Sequence, residues 1–313
     1  MKGNILIQSQ YYKLWVEHTR LRISTKNGYI LALKRFEAFL LQEGFEGKLD
    51  FDRFHASRTY QNRYLPIQRS VIDRFIQYLR DNKRFTNSML KGTVQALKHF
   101  FGFLFDMDLI QHNPMLHVPT PKHESPIQNT ALSKDECIEL LKAAIRKDPF
   151  YRQEFVLIWF MLITGLRVSE VCFLRRSRLH LDRRIVQITE GQKTHKRAAA
   201  ISKDLAVELE RYINHPNYRK EALHGNEFVF HHRGKRLSPE KIRSLLRELS
   251  KAAGLSRDVR PHDLRRTAGY LMQANALHIV NIQHQLGHRH LGTTLRYVPP
   301  LSDMRKILEE EQH

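Results

Sequence analysis

Cysteine is scarce in this chain: of 313 residues only Cys137 and Cys172 are cysteines, and neither sits in a paired C-x-x-C arrangement. That excludes a disulfide framework and a cysteine metal cage, and it suits a reducing cytoplasm. Long hydrophobic runs are missing too. The longest, Phe155 to Ile163, has nine residues, against the roughly 20 needed to span a bilayer, so it predicts a buried helix and no membrane partner. The opening MKGNILIQSQYYKLW has no apolar run followed by a small-residue cleavage site, so secretion is not expected. Acidic residues are outnumbered, 32 against 52 Lys and Arg, which leaves a formal net charge of +20. A surface that basic needs polyanionic partners or repels itself, and with membranes set aside nucleic acid is the first candidate.

What is present is a soluble-protein composition, 42% hydrophobic and 27% charged, in a length that suits two domains of ordinary size. Tyr29, Leu33, Phe36 and Leu40 recur at helical spacing over Ser24 to Leu41. Two further amphipathic helices carry Ile72, Phe75 and Leu79, then Val94, Leu97, Phe101 and Leu104. Residues 44–70 form a long polar stretch with no assignable element. Pro114, Pro119, Pro121 and Pro126 punctuate a segment that disfavours helix and suits an extended linker.

In the second half, Ser133 and Glu136 have capping-box spacing and start a helix through about Ile145. The buried helix ends near Gly165, a strand is expected over Arg184 to Thr189, and a return strand ends at Ile201. Ser238-Pro239 starts another helix. There is no internal repeat. The expected fold is therefore mainly α with a small β-sheet (α+β), divided into a helical domain over 1–115, a linker over 116–131 and a second domain over 132–313.

Four short segments concentrate unusual residues: Thr164-Gly165-Leu166-Arg167-Val168-Ser169-Glu170, Gly191-Gln192-Lys193, His262-Asp263-Leu264-Arg265-Arg266, and Leu286-Gly287-His288 with Tyr297 nine positions later. Each is weak alone. Their order and separations resemble the tyrosine recombinase family of phage integrases and Xer-type recombinases, through motifs across the second half and only through architecture in the first. Arg266 stands where many members have histidine.

The resemblance implies a metal- and ATP-independent enzyme that cleaves and rejoins DNA through a phosphotyrosine intermediate, with no cofactor. It makes Tyr297 the nucleophile. Arg167 and Arg265 would neutralise the non-bridging phosphate oxygens, because a guanidinium stays protonated and can bind two oxygens at once. Lys193 in a β-turn would protonate the leaving hydroxyl, with Lys196 as a rival. His262 would assist in acid/base work and His288 would donate to the phosphate. Glu170, a carboxylate that would repel phosphate, is expected to orient an arginine or cap a neighbouring segment.

The family fold implies a helical core-binding domain and a catalytic domain that together form a C-shaped clamp. The partners implied are double-stranded DNA recombination sites and other copies of the chain, four on two sites, with accessory DNA-binding proteins allowed and a nucleoid location when bound. A tail with Met304, Ile307 and Leu308 on one face would join the copies. The biological task would be integrating, excising or resolving a mobile element or replicon. About 20 residues precede the first assigned helix, which leans toward a simple Xer-like or transposon-encoded enzyme.

Three other readings compete. A type IB-like topoisomerase shares the chemistry, and a non-catalytic architectural DNA-binding protein shares the basic helices but needs no positioned tyrosine. His284, His288 and His290 suggest a metal site, which would leave the motif arginines without a purpose.

Overall fold

The computed structural model describes residues 5–45, 67–121, 130–191 and 195–295. Lys193, Tyr297, the tail with Met304, Ile307 and Leu308, most of the unassigned stretch 44–70 and residues 122–129 of the expected linker lie outside them. The chain divides into two compact units, Met1–Pro126 and Ile127–His313.

In the first unit the described helices are α1 (Gln10–His18), α2 (Ile23–Gln42), α3 (Arg69–Asp81) and α4 (Asn87–Asp106). Helices α2, α3 and α4 are those that the apolar spacing predicts. Their stripes meet in one core, where Leu33, Phe36, Leu40, Ile72, Phe75, Leu79, Val94, Leu97, Phe101 and Leu104 are all buried. Aromatic edges fix its centre: the Phe36 ring lies 5.0 Å from Phe75 and 6.1 Å from Phe101, offset geometries that add to simple area burial.

Helix α1 was not predicted, since it buries Trp15 alone. Ser9 caps it, and the Trp15 indole donates to His99 Nδ1 at 3.0 Å. Glu37 of α2 is buried because its Oε1 accepts from the backbone N–H of Leu6 at 2.7 Å and of Ile7 at 3.1 Å. That carboxylate staples the N-terminal segment to α2.

In the second unit, α5 (Lys134–Lys147) begins with the Ser133–Glu136 capping box. Helix α6 (Gln153–Thr164) is apolar on most sides and runs through the middle of the unit. It packs against α5, α8 (Lys203–Asn214) and α11 (Pro261–Ala274). A three-stranded antiparallel sheet, in the order β1 (Leu179–His180), β2 (Ile185–Ile188), β3 (Arg197–Ala200), follows the short α7 (Val168–Cys172). Ile185 pairs with Ala200 and Ile188 with Arg197.

The expected strand and its return are thus present, whereas two-residue β1 was not foreseen. Helix α9 (Pro216–Leu223) and a second small hairpin, β4 (His231–His232) with β5 (Lys235–Arg236), lead to α10 (Pro239–Ala252), which Ser238 caps with Pro239 in its first turn. After α11 come α12 (Ile279–Leu286) and α13 (Leu291–Thr294). The fold is mainly helical with small antiparallel sheets, as expected. Both cysteines are buried and unbridged. No described helix is long and apolar enough to cross a membrane.

Replacing Glu37 by alanine leaves one buried and one half-buried N–H donor without their carboxylate, at a cost of about 1–3 kcal/mol. Trp15 and Trp159 are the two tryptophans, one in each unit. In a Trp159→Phe background, Trp15 fluorescence should report a lower urea midpoint for Glu37→Ala; an unchanged midpoint would contradict the staple.

Candidate active site

Helix α6 ends on Gly165, which has φ +60° and caps it through its N–H to Met161 O. A Cβ at this position would lie 2.4 Å from Leu286 Cδ2, so glycine is required both by the left-handed backbone and by the close approach of α12. The turn sends Leu166 into the core and leaves Arg167 as the residue that caps α7. Its backbone N–H donates to Glu170 Oε2 at 2.8 Å and its Nη1 to Glu170 Oε1 at 3.2 Å.

Arg265 projects inward from α11 and is 2% exposed. Its Nη1 donates to Gly165 O at 2.6 Å and its Nη2 to Leu286 O at 2.8 Å. Arg167 Nη2 donates to the next carbonyl, Gly287 O, at 3.2 Å. Helix α12 ends there, with Gly287 at φ +67°, and the following residue is His288. This residue is 7% exposed, with its Nδ1 3.0 Å from the buried Thr294 hydroxyl. Two guanidinium groups from separate elements are thus anchored to consecutive carbonyls beside one histidine. A rigid fork held by carbonyls cannot swing away when charge develops nearby.

His262 sits one turn before Arg265 in the first turn of α11, as the spacing of three predicts, but it is exposed while Arg265 is buried. The same helix therefore presents the two side chains at different depths. Asp263, between them, caps α11 by accepting from Arg260 N–H at 2.9 Å and pairs with Arg257 at 3.2 Å.

Glu170 orients arginines and caps a segment, as expected, and its main partner was missed by sequence reasoning. Arg197, at the start of β3, places Nη1 2.9 Å from Glu170 Oε1 and Nη2 3.0 Å from Oε2. It also donates to Leu286 O at 3.3 Å and Gln285 O at 3.4 Å. A Cβ on Gly287 would come within 2.5 Å of Arg197 Cζ, so this glycine makes room for the guanidinium. The strand is tied down further by Gln285, whose side chain bonds Ala200 N at 2.9 Å and Ala200 O at 2.8 Å. The sequence signal was slight: an arginine opening a strand, with its partner 27 residues away.

The electrostatics follow from this packing. Burial works to raise the Glu170 pKa, but the hydrogen bonds and charge of Arg197, joined by Arg167, hold it at about 2. His288 is pushed down to about 3 by burial first and then by Arg265, Arg167, Arg197 and His262. His262 is lowered by partial enclosure and by the Arg265 and Arg266 charges. Arg167 and Arg197 pair with the Glu170 carboxylate while Arg265 is held on neighbouring carbonyls, so the three guanidiniums outnumber that carboxylate by two, with a neutral imidazole beside them. Such a cluster suits an anion with several oxygens.

Of the predicted site residues, Arg167, Arg265, His262 and His288 gather here, while Lys193 and Tyr297 lie outside the described residues. Lys196 is exposed just before β3. His284 and His290 are exposed, and among the described residues no three His, Cys, Asp or Glu side chains are grouped to hold a metal.

Residues 130–302 match the sequence model of the phage integrase family. The chain is 27% identical over 234 residues to the tyrosine recombinase XerD of Listeria monocytogenes serotype 4b, covering 74% of this chain and 77% of that protein. It is 27% identical over 298 residues to a tyrosine recombinase of Pseudothermotoga lettingae, covering 93% and 94%. Its fold is similar to that of the XerH site-specific recombinase, solved bound to a difH substrate in a pre-cleavage complex. The TM-score is 0.68 at 18% identity, covering 96% of this chain and 84% of that one.

His288 makes stability depend on pH in a defined direction. The unfolded ring has a pKa of about 6.5 and the folded one about 3, so below pH 6.5 the unfolded chain binds a proton that the folded chain refuses. Its contribution is fully present above about pH 6.5 and declines on acidification by about 1.4 kcal/mol per pH unit. Urea midpoints followed by Trp159 should fall less steeply with acid in His288→Gln than in the native protein; parallel curves would contradict this account.

Proposed function

The chain belongs to the phage integrase family and is a tyrosine site-specific recombinase, and from that premise we propose the following division of labour. Tyr297 attacks a backbone phosphorus, forming a phosphotyrosine bond while the bond to one deoxyribose oxygen breaks. Arg167 and Arg265 neutralise the charge that builds on the non-bridging oxygens, and neutral His288 donates to one of them. His262, at the exposed edge of α11, is the acid/base assistant and takes up the phenolic proton that Tyr297 loses as it attacks. Lys193 gives the departing oxygen its proton, with Lys196 the alternative donor. The phosphoester energy is retained in the protein linkage, so a second DNA end can attack it and rejoin without ATP.

The observation that carries the reading is the anchoring of Arg167 and Arg265 on the adjacent carbonyls of Gly287 and Leu286, next to His288. It supports a preformed cationic cradle that needs no metal step. The helical domain over 1–115 is the core-type DNA-binding part, the linker spans 116–131, and 132–313 is catalytic. With a charge surplus of +20, phosphate contacts should dominate affinity and make it strongly salt-dependent.

Exchange between two duplexes breaks four strands, and one tyrosine per chain then calls for four protomers on two sites. The tail after Tyr297 would join them. Integration, excision or resolution of a mobile element or replicon is the task such chemistry serves.

On a nicked suicide duplex containing the target site, the native protein should accumulate a covalent DNA adduct. Tyr297→Phe should bind the same DNA and form none, and Arg265→Ala should lower the adduct-forming rate by about 10²–10³-fold. An adduct that persists in Tyr297→Phe would contradict the assignment of the nucleophile.

A further inference from the structure

The Glu170–Arg197 pair has no part in the chemistry proposed above, yet it sits at the centre of the cradle. Glu170 has a side chain 0% exposed and Arg197 one 5% exposed, whereas Arg167 is 27% exposed. Both carboxylate oxygens of Glu170 bond the Arg197 fork, at 2.9 and 3.0 Å, while the Arg167 guanidinium meets it through one nitrogen at 3.2 Å, beside the Arg167 backbone N–H at 2.8 Å. A buried carboxylate needs a paired charge, and a bidentate fork satisfies it better than a single N–H. Arg197 cannot easily turn elsewhere: the Leu286 and Gln285 carbonyls hold it, and the Gln285–Ala200 bonds fix its strand.

We propose that Arg197 is a positioning residue: by occupying the Glu170 carboxylate it keeps the Arg167 guanidinium available to the scissile phosphate. Without Arg197, Glu170 would close on Arg167 as a bidentate pair, and the phosphate would face a carboxylate instead of a guanidinium. The proposal deepens the recombinase reading and rests on it. Arg197 acts through Glu170 and touches no substrate, so its loss is repaired when the carboxylate charge is removed as well.

The test compares the native protein, Arg197→Gln, Glu170→Gln and the double variant Glu170→Gln/Arg197→Gln on the same suicide duplex, with single-turnover cleavage rate, DNA affinity and urea midpoint read for each. Arg197→Gln should cleave about 10²-fold more slowly, with DNA affinity changed much less, because the interaction lost is one made in the transition state. The double variant should recover to within about tenfold of the native rate, since a neutral pair leaves no uncompensated buried charge. A double variant as slow as Arg197→Gln would overturn the proposal, as would an Arg197→Gln protein that cleaves at the native rate. If Arg197→Gln fails to fold, the double variant against the native protein carries the test with the same tenfold criterion. A native protein that forms no adduct would sink the recombinase reading itself, whereas failure of the variants alone sinks only the role of Arg197.

Discussion

The second unit is organised around the C-terminal end of α12. Its last carbonyls, Gln285, Leu286 and Gly287, are each gripped by an arginine from elsewhere: Arg197 from β3, Arg265 from α11 and Arg167 from the turn before α7. A helix C-terminus carries partial negative charge and unsatisfied carbonyls, so three cations can collect there in a way that water alone would not sustain. Collecting them is the difficult step, because like charges brought together in a partly buried site repel. The carbonyls and the buried carboxylate of Glu170 offset that repulsion, and the positive charge left over is what the proposed function assigns to an incoming phosphate.

Two glycines make the assembly sterically feasible. Gly165 lets α12 approach the end of α6, and Gly287 leaves space for the Arg197 guanidinium, each with a left-handed backbone. The motifs Gly165-Leu166-Arg167 and Leu286-Gly287-His288 therefore belong together: in each, the glycine ends a helix tightly and the residue one or two places later joins the candidate site. The apolar core beneath, built on α6 with α5, α8 and α11, holds these ends at fixed distances, which is what preorganised charge stabilisation requires.

Local signals in the sequence were the most informative about elements. Ser133 with Glu136 and Ser238 with Pro239 marked helix starts because a cap is made within four residues, and the stripes of Phe36, Phe75 and Phe101 marked faces because their partners were equally apolar. Helix α1 escaped notice because one buried tryptophan makes no stripe, and β1 because two residues make no alternation. That Arg167, His262, Arg265 and His288 gather was readable from motif order, and the pairing of Glu170 with arginine from the argument that a carboxylate would repel phosphate. Arg197 was not readable. Its meaning lies in contacts 27 and 89 residues away, which no spacing rule reaches. Its depth is equally invisible in sequence, as is the difference between exposed His262 and buried Arg265 on one helix.

The central claim is that two of the guanidiniums anchored at the end of α12, Arg167 and Arg265, face one and the same phosphate. Solving the Tyr297→Phe protein on a duplex recombination site would measure this directly. The account predicts Arg167 and Arg265 nitrogens within about 3.2 Å of non-bridging oxygens of a single phosphate, with the His288 ring donating to the same group. DNA phosphates bound elsewhere on the unit, with neither arginine in contact, would contradict it.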